Sequence, residues 1–454
     1  MTRRIGPSLL LAAVLYGSCA LAQTDTGTSP DESSPPTQPG PKPAFTYPDA
    51  APSLDFLTSS IENSSITLGI STGFAYDSNG YPNTVGNATT NDRWLYDVAP
   101  SVRIQQFLPK LVWHAGYSGG LQIYDQVNGR SNGNSNLYSQ SATGGFLWQL
   151  AKHWQLGGNE SYRYSANPFD SYLTIPGTPT ANNPNPVSYY PLTNFTQNNA
   201  DISLTYQLSK QDTLAFTGTE TYRDTSTYNL VTAVPFYNLT SYGGRASYSH
   251  QLSPRFSLGA GYDFNSLDFG AGQQRSGVQT ISFTTSYLIR PNMTISVWIG
   301  PEYTSTKTVV PFFGVFHDSL WSTSVGADFG WRSARNSVHV GFVRRVSDGG
   351  GLIATSQVNS VTGTYRRLLA YKLSALVGGR WMKDTSTTVQ SRSFDNYALN
   401  TGATYQIAKS LNATVDYSHI HQNQSNVFLI GQSIYSDNRV GVTISYEWSH
   451  PLGR

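Results

Sequence analysis

A single cysteine, Cys19, stands in 454 residues, so the chain has no partner for a disulfide and no thiolate pair for a metal. Charge is scarce too: only 12% of residues are Asp, Glu, Lys or Arg, and the net charge is +2. No Lys/Arg cluster is dense enough to track a phosphate backbone, which excludes nucleic acid as a partner. No glycine-rich phosphate loop or dinucleotide fingerprint occurs, so no nucleotide cofactor is expected. Gly116-Tyr117-Ser118-Gly119-Gly120 fits G-x-S-x-G, yet the chain runs on as Leu121-Gln122-Ile123-Tyr124, a strand. A nucleophile elbow needs a turn into a helix at that point. His419 and His421 share a face but have no carboxylate or thiolate at ligand spacing. Neither catalysis nor a resident metal is expected.

Neutral polarity and aromatic rings fill the space that charge leaves. There are 41 Gly, 29 Tyr and 13% aromatic residues, and the mean hydropathy is −0.32. One phrase recurs: an alternating run, an aromatic, then a tight polar turn. Leu204-Thr205-Tyr206-Gln207-Leu208-Ser209-Lys210 reads like Ala403-Thr404-Tyr405-Gln406-Ile407-Ala408-Lys409. A second alternating run follows each turn, as in Phe216-Thr217-Gly218-Thr219-Glu220-Thr221-Tyr222-Arg223. A hairpin repeated in this way, with aromatics at fixed heights, predicts an all-β, transmembrane, antiparallel up-and-down β-barrel. A soluble sandwich array would show the same alternation, but it does not explain the fixed distance of the aromatics from the turns.

Three regions are expected. Residues 1–22 read as a signal peptide, with Arg3-Arg4, a short apolar run from Leu9 to Tyr16, and small residues at Ala20-Leu21-Ala22. Cleavage after Ala22 removes Cys19; lipidation of Cys19 is the competing reading. Residues 23–62 are rich in Pro, Ser and Thr and read as a periplasmic tether, since they carry too little apolar surface to offset the entropy of ordering. Residues 63–454 form the barrel. Short turns are predicted near Pro109, Lys152, Lys210, Pro254, Pro291, Ala334, Leu368 and Lys409. With a first strand at 66–76 and a last at 440–448 they give about 18 strands, or 16 if the weakly alternating stretch 351–360 is not strand.

One phase of the alternation is apolar: Phe256, Leu258, Ala260, Tyr262 and Phe264 in one run, and Val440, Val442, Ile444, Tyr446 and Trp448 in another. The opposite phase holds the charge. Its candidate pore-lining residues are Asp97, Arg103, His114, Arg163, Asp201, Arg223, Arg245 and Asp263 in the first half. In the second half they are Glu302, Asp328, Arg332, Lys372, Arg380, Asp416 and Arg439, with Glu447 beyond them. Opposed charges across a bore would set up a transverse field; charges paired on the wall would instead be structural. The third long loop, residues 167–191, is a candidate constriction with one charge, Asp170, and the rings of Tyr172, Tyr189 and Tyr190. A surface cap is the alternative for that loop. Glu160 and Glu220 break the apolar phase. Either a bulge at Gly157-Gly158 turns Glu160 inward, or long loops cover the patch, or it meets another barrel in a homo-oligomer.

These features resemble a bacterial outer-membrane β-barrel of the porin-like superfamily, and more loosely barrels associated with exopolysaccharide secretion. The resemblance spans about residues 64–448. Val440-Gly441-Val442-Thr443-Ile444-Ser445-Tyr446-Glu447-Trp448 is similar to the sorting strand read by the outer-membrane assembly machinery, though here six residues follow it. The resemblance implies outer-membrane lipid and a hydrophilic solute as partners. The expected role is a channel for hydrophilic solutes, most simply small sugars or oligosaccharides. Export of an exopolysaccharide and a closed structural or adhesive barrel displaying its loops are the competing readings.

Overall fold

The computed structural model describes residues 64–78, 92–126, 136–165, 193–227, 238–270, 272–310, 314–349, 354–387, 393–425 and 433–452. The regions expected to be signal peptide and tether, and the third long loop, lie outside the described residues. The first six strands are β1 (Ser65–Asp77), β2 (Arg93–Phe107), β3 (Leu111–Gln126), β4 (Asn136–Ala151), β5 (Trp154–Ser165) and β6 (Thr193–Gln207). The next six are β7 (Asp212–Thr227), β8 (Leu239–Ser253), β9 (Phe256–Phe269), β10 (Gln274–Arg290), β11 (Met293–Val310) and β12 (Gly314–Arg332). The last six are β13 (Asn336–Ser347), β14 (Ser356–Ala370), β15 (Leu373–Ser386), β16 (Ser393–Ala408), β17 (Leu411–Ser425) and β18 (Ser433–Pro451).

Every strand pairs antiparallel with its neighbours in sequence, and β1 pairs with β18 from Ser65↔Pro451 to Asp77↔Arg439. The sheet is therefore a closed 18-stranded barrel. Closure is what a bilayer demands, because acyl chains offer no partner to a free N–H or C=O.

The apolar phase faces out. Leu258, Tyr262 and Phe264 on β9, Ile281, Phe283 and Tyr287 on β10, and Val440, Val442 and Ile444 on β18 are all exposed. In water this would be a large unfavourable surface; in lipid it is the solvated face. Aromatic pairs mark both ends of the band. Trp154 stacks on Tyr206 at 4.3 Å beside the short turns, while Phe74–Trp94 (4.8 Å) and Tyr303–Trp321 (5.0 Å) lie toward the long connections. Such rings prefer the headgroup level, which fixes the height of the barrel in the membrane.

Seven of the eight short turns fall where the sequence places them. The seventh is displaced: β14 continues through Leu368 to Ala370, with a register shift between those two residues, and turns at Tyr371-Lys372. Gly157 and Gly158 make no bulge. The ladder runs unbroken from Leu156 to Ser165 against β6, so Glu160 stays on the outward phase.

Candidate functional site

The lumen is built from the inward residues of all eighteen strands, and its two halves differ. Near the short turns the bore is open: Arg103, His114, Arg332 and Glu447 are exposed. Toward the long connections the inward side chains are buried, among them Asp77, Arg223, Glu302, Arg380 and Arg439 together with Leu95, Val358 and Ile420.

The cause lies at one seam. β12 and β13 pair only from Val325↔Arg344 to Arg332↔Ser337, although β12 continues to Gly314 and β13 to Ser347. Above Arg344 the β13–β14 hairpin leaves the wall and rolls into the lumen, still paired to itself and, through β14, to β15. Its contacts show how far it goes. The Val346 N–H donates to Glu302 Oε1 on β11 at 2.8 Å, past β12. Thr355 Oγ1 meets Ser276 Oγ on β10 at 2.7 Å and accepts from Gln274 Nε2 at 3.2 Å. Asp348 reaches Arg223 on β7, Nη1 to Oδ2 at 2.7 Å, with Arg223 only 1% exposed. Val346 and Ala354 complete an apolar cluster with Leu239, Leu267, Phe269 and Val278 on the inner wall. At the tip Gly349 has φ +56°, a left-handed backbone that glycine adopts without a Cβ clash.

Glu302 is the hub of this contact. Its carboxylate accepts from Thr280 Oγ1 (3.2 Å), Ser322 Oγ (2.9 Å) and the Val346 amide, all from different strands. A carboxylate with three donors is well satisfied in a site this dry.

The other charges pair along the wall. Arg245 meets Asp263 at 3.4 Å, Asp77 meets Arg439 at 3.7 Å, and His339 lies 3.6 Å from Asp328, each pair on adjacent strands. Asn159 donates to Asp201 at 3.2 Å, and Arg380 points Nη2 at Met382 Sδ. Asp97 lies over Gly73 and Asp416 over Gly441, positions where a Cβ would meet the carboxylate. Arg163 is half-buried on the inward phase of β5. Register thus brings opposite charges together side by side, in place of two ranks facing one another across the bore. Lys372 is not on the lumen wall: it sits in the β14–β15 turn, Nζ 3.5 Å from the Ile407 carbonyl. The residues that sequence reasoning missed are Asp348 and Arg345 on the rolled hairpin and Asp384 on β15. Only the failure of alternation at 351–360 pointed toward them.

The expected constriction residues Asp170, Tyr172, Tyr189 and Tyr190 lie outside the described residues. Ser118 sits mid-strand in β3, and His419 faces outward with Nδ1 2.9 Å from Asn438 Oδ1. Among the described residues no cluster of metal-ligating side chains occurs.

A closed, even-stranded barrel with an outward apolar band between two aromatic girdles and a polar interior is an outer-membrane barrel of the porin-like type. No family model matches the chain, and no curated protein does. Among solved structures it is similar to OccK9 (OpdG) of Pseudomonas aeruginosa, at 12% identity and a TM-score of 0.44 over 86% of this chain and 99% of that one. A BenF-like porin from Pseudomonas fluorescens gives 12%, 0.44, 86% and 100%, and OccAB4 of Acinetobacter baumannii 12%, 0.42, 85% and 99%. The porin-like character of this chain stands on its own strand pairing and its two faces.

Proposed function

We propose that the protein is an outer-membrane channel for small, uncharged hydrophilic solutes, sugars being the class that best fits the wall. The lining carries this reading: away from the paired charges and the apolar residues buried near the long connections, the inward phase is mainly Ser, Thr, Asn, Gln and Gly. Ser101, Gln105, Ser118, Thr143, Asn159 and Asn400 are representative. Hydroxyl and amide groups can replace the hydration of a sugar hydroxyl one for one, whereas they offer an ion no counter-charge. The hairpin that crosses the outer half speaks against the polymer-export reading, because a continuous polysaccharide needs an unobstructed bore. In liposome swelling, proteoliposomes should admit pentoses and hexoses and become progressively slower for di- and trisaccharides. Proteoliposomes as tight to pentoses as empty vesicles would overturn the proposal and favour the closed, loop-displaying barrel.

We also propose that Glu160 and Glu220 face a second barrel. They flank Ala200 in one row of β5, β6 and β7, two strand spacings or roughly 10 Å apart. Asn198 donates to Glu160 at 3.3 Å, so the patch is polar on a face that otherwise meets lipid. Glu160→Leu with Glu220→Leu should convert an oligomer to monomer in native mass measurements of detergent-extracted protein. A wild-type protein that is monomeric in the same detergent would dismiss the contact.

A further inference from the structure

The seam between β12 and β13 leaves something vacant. Above Val325 no described strand pairs with the β13 side of β12, and residues 314–321 are all exposed, Trp321 at 71%. An unpaired edge is a template for another strand. The register of the paired part says which strand fits. Val325↔Arg344 through Arg332↔Ser337 is a constant antiparallel pairing, and extending it upward sets Ser324 opposite Arg345, Thr323 opposite Val346, Ser322 opposite Ser347 and Trp321 opposite Asp348. These are the residues that have rolled into the lumen.

The side-chain pattern fits the same placement. On β13 the outward phase is Val338, Val340 and Phe342, and it continues through Arg344 to Val346. Returned to the wall, Val346 would face lipid below the outer girdle, and Asp348 would stand beside Trp321, level with the headgroups. In the lumen Asp348 is held by Arg223, but it also lies within electrostatic reach of Asp384, a fully buried carboxylate that accepts no hydrogen bond among the described residues. The inward position is thus held by the Arg223 pair, the Glu302 and Ser276 hydrogen bonds and the apolar cluster, and Asp384 opposes it.

We infer that the vacant edge of β12 is a second docking site for residues 345–349 of the same chain. The hairpin exchanges between the lumen, where it narrows the bore, and the wall, where it completes the barrel and widens the bore. Two arrangements of one packed element, each with its own partners, are what a switch requires. This deepens the channel reading, and its test does not depend on flux alone.

Two cysteine pairs distinguish the states. Ser276→Cys with Thr355→Cys should lock the hairpin inside, since the two hydroxyls already touch. Thr323→Cys with Val346→Cys should form a disulfide only when the hairpin lies against β12: the extended register sets them opposite, whereas in the lumen Val346 packs on the inner wall while Thr323 faces out. Both pairs are expected to cross-link under mild oxidation, as read by mass spectrometry of proteolytic fragments. The first should give small unit conductance and the second conductance severalfold larger, both reverting with reductant. Quantitative cross-linking of 276 with 355 and none of 323 with 346, in protein that is folded by its heat-modifiable gel mobility, would overturn the switch. A disulfide-linked dimer through 323 would assign the edge to a second copy and overturn it too. If both internal disulfides form and neither protein conducts, the exchange stands and the channel reading falls.

Discussion

Arg223→Ala should raise the single-channel conductance of the reconstituted protein severalfold. Arg223 is buried at the far end of the rolled hairpin, and its pair with Asp348 ties the tip to the opposite wall. Removing one partner of a buried pair strands the other charge, at about 3–5 kcal/mol. Asp348 would then lose the Arg223 cation and keep Asp384, itself offset by Arg380, as a like-charged neighbour. A penalty of that size shifts the balance between hairpin positions on the order of 100-fold or more. The barrel wall itself loses nothing, because Arg223 points into the lumen and the ladder of β7 against β6 and β8 is untouched. Asp348→Asn should act in the same direction but less, since the amide can still accept from Arg223. The charge swap, Arg223→Asp with Asp348→Arg, should bring conductance back toward wild type. Equal conductance in all four proteins would mean that the hairpin does not limit the bore.

The second large effect belongs to the outer face. Phe283→Arg should abolish assembly into the outer membrane or leave the protein heat-labile on gels. Phe283 is 59% exposed, lies opposite Ile299 on β11 and Ala260 on β9, and sits midway between the two girdles. An arginine there meets the hydrocarbon midplane, at about 2–4 kcal/mol. Ser161→Lys, at a similar height but on the inward phase of β5, should be tolerated, because its ammonium reaches lumenal water. The pair of variants is a direct comparison of the two faces of one wall. If both assemble equally well, or if the lysine is the damaging one, the inside and outside have been assigned the wrong way round.

Most of the barrel was legible because its physics is local. A strand that meets lipid on one side and water on the other must alternate, and Phe256, Leu258, Ala260, Tyr262 and Phe264 do so without a break. Short turns follow from Pro254, Pro291 or the Ser-Lys-Gln run after Leu208, each of which stops a ladder. The hairpin that defines the constriction was not legible, and the reason is physical. From Ser356 to Ser360 the inward phase of β14 is fully buried under the rolled hairpin, and polar Gln357 and Asn359 stand half-exposed in the phase that elsewhere meets lipid. With polar residues in both phases, the stretch shows no apolar alternation in sequence. The weak pattern at 351–360 was the imprint of the rolled hairpin, and it read only as uncertainty in strand count. The displaced turn at Tyr371-Lys372 has a similar origin: the Arg366-Arg367-Leu368 run resembles a polar stop, but cross-strand pairing with β15 carries the ladder past it. Ion pairing was hidden for a different reason. Arg439 and Asp77 stand on the last and the first strand, and only closure of β18 on β1 brings them together.

The proposed channel is a water-filled path narrowed by the barrel's own β13–β14 hairpin. Planar-bilayer recording of the full chain tests it directly. Small, discrete current steps in wild type, with larger steps in Arg223→Ala, are the expected result. Heat-modifiable, membrane-inserted protein that gives no steps at any voltage, in wild type and variant alike, would contradict it.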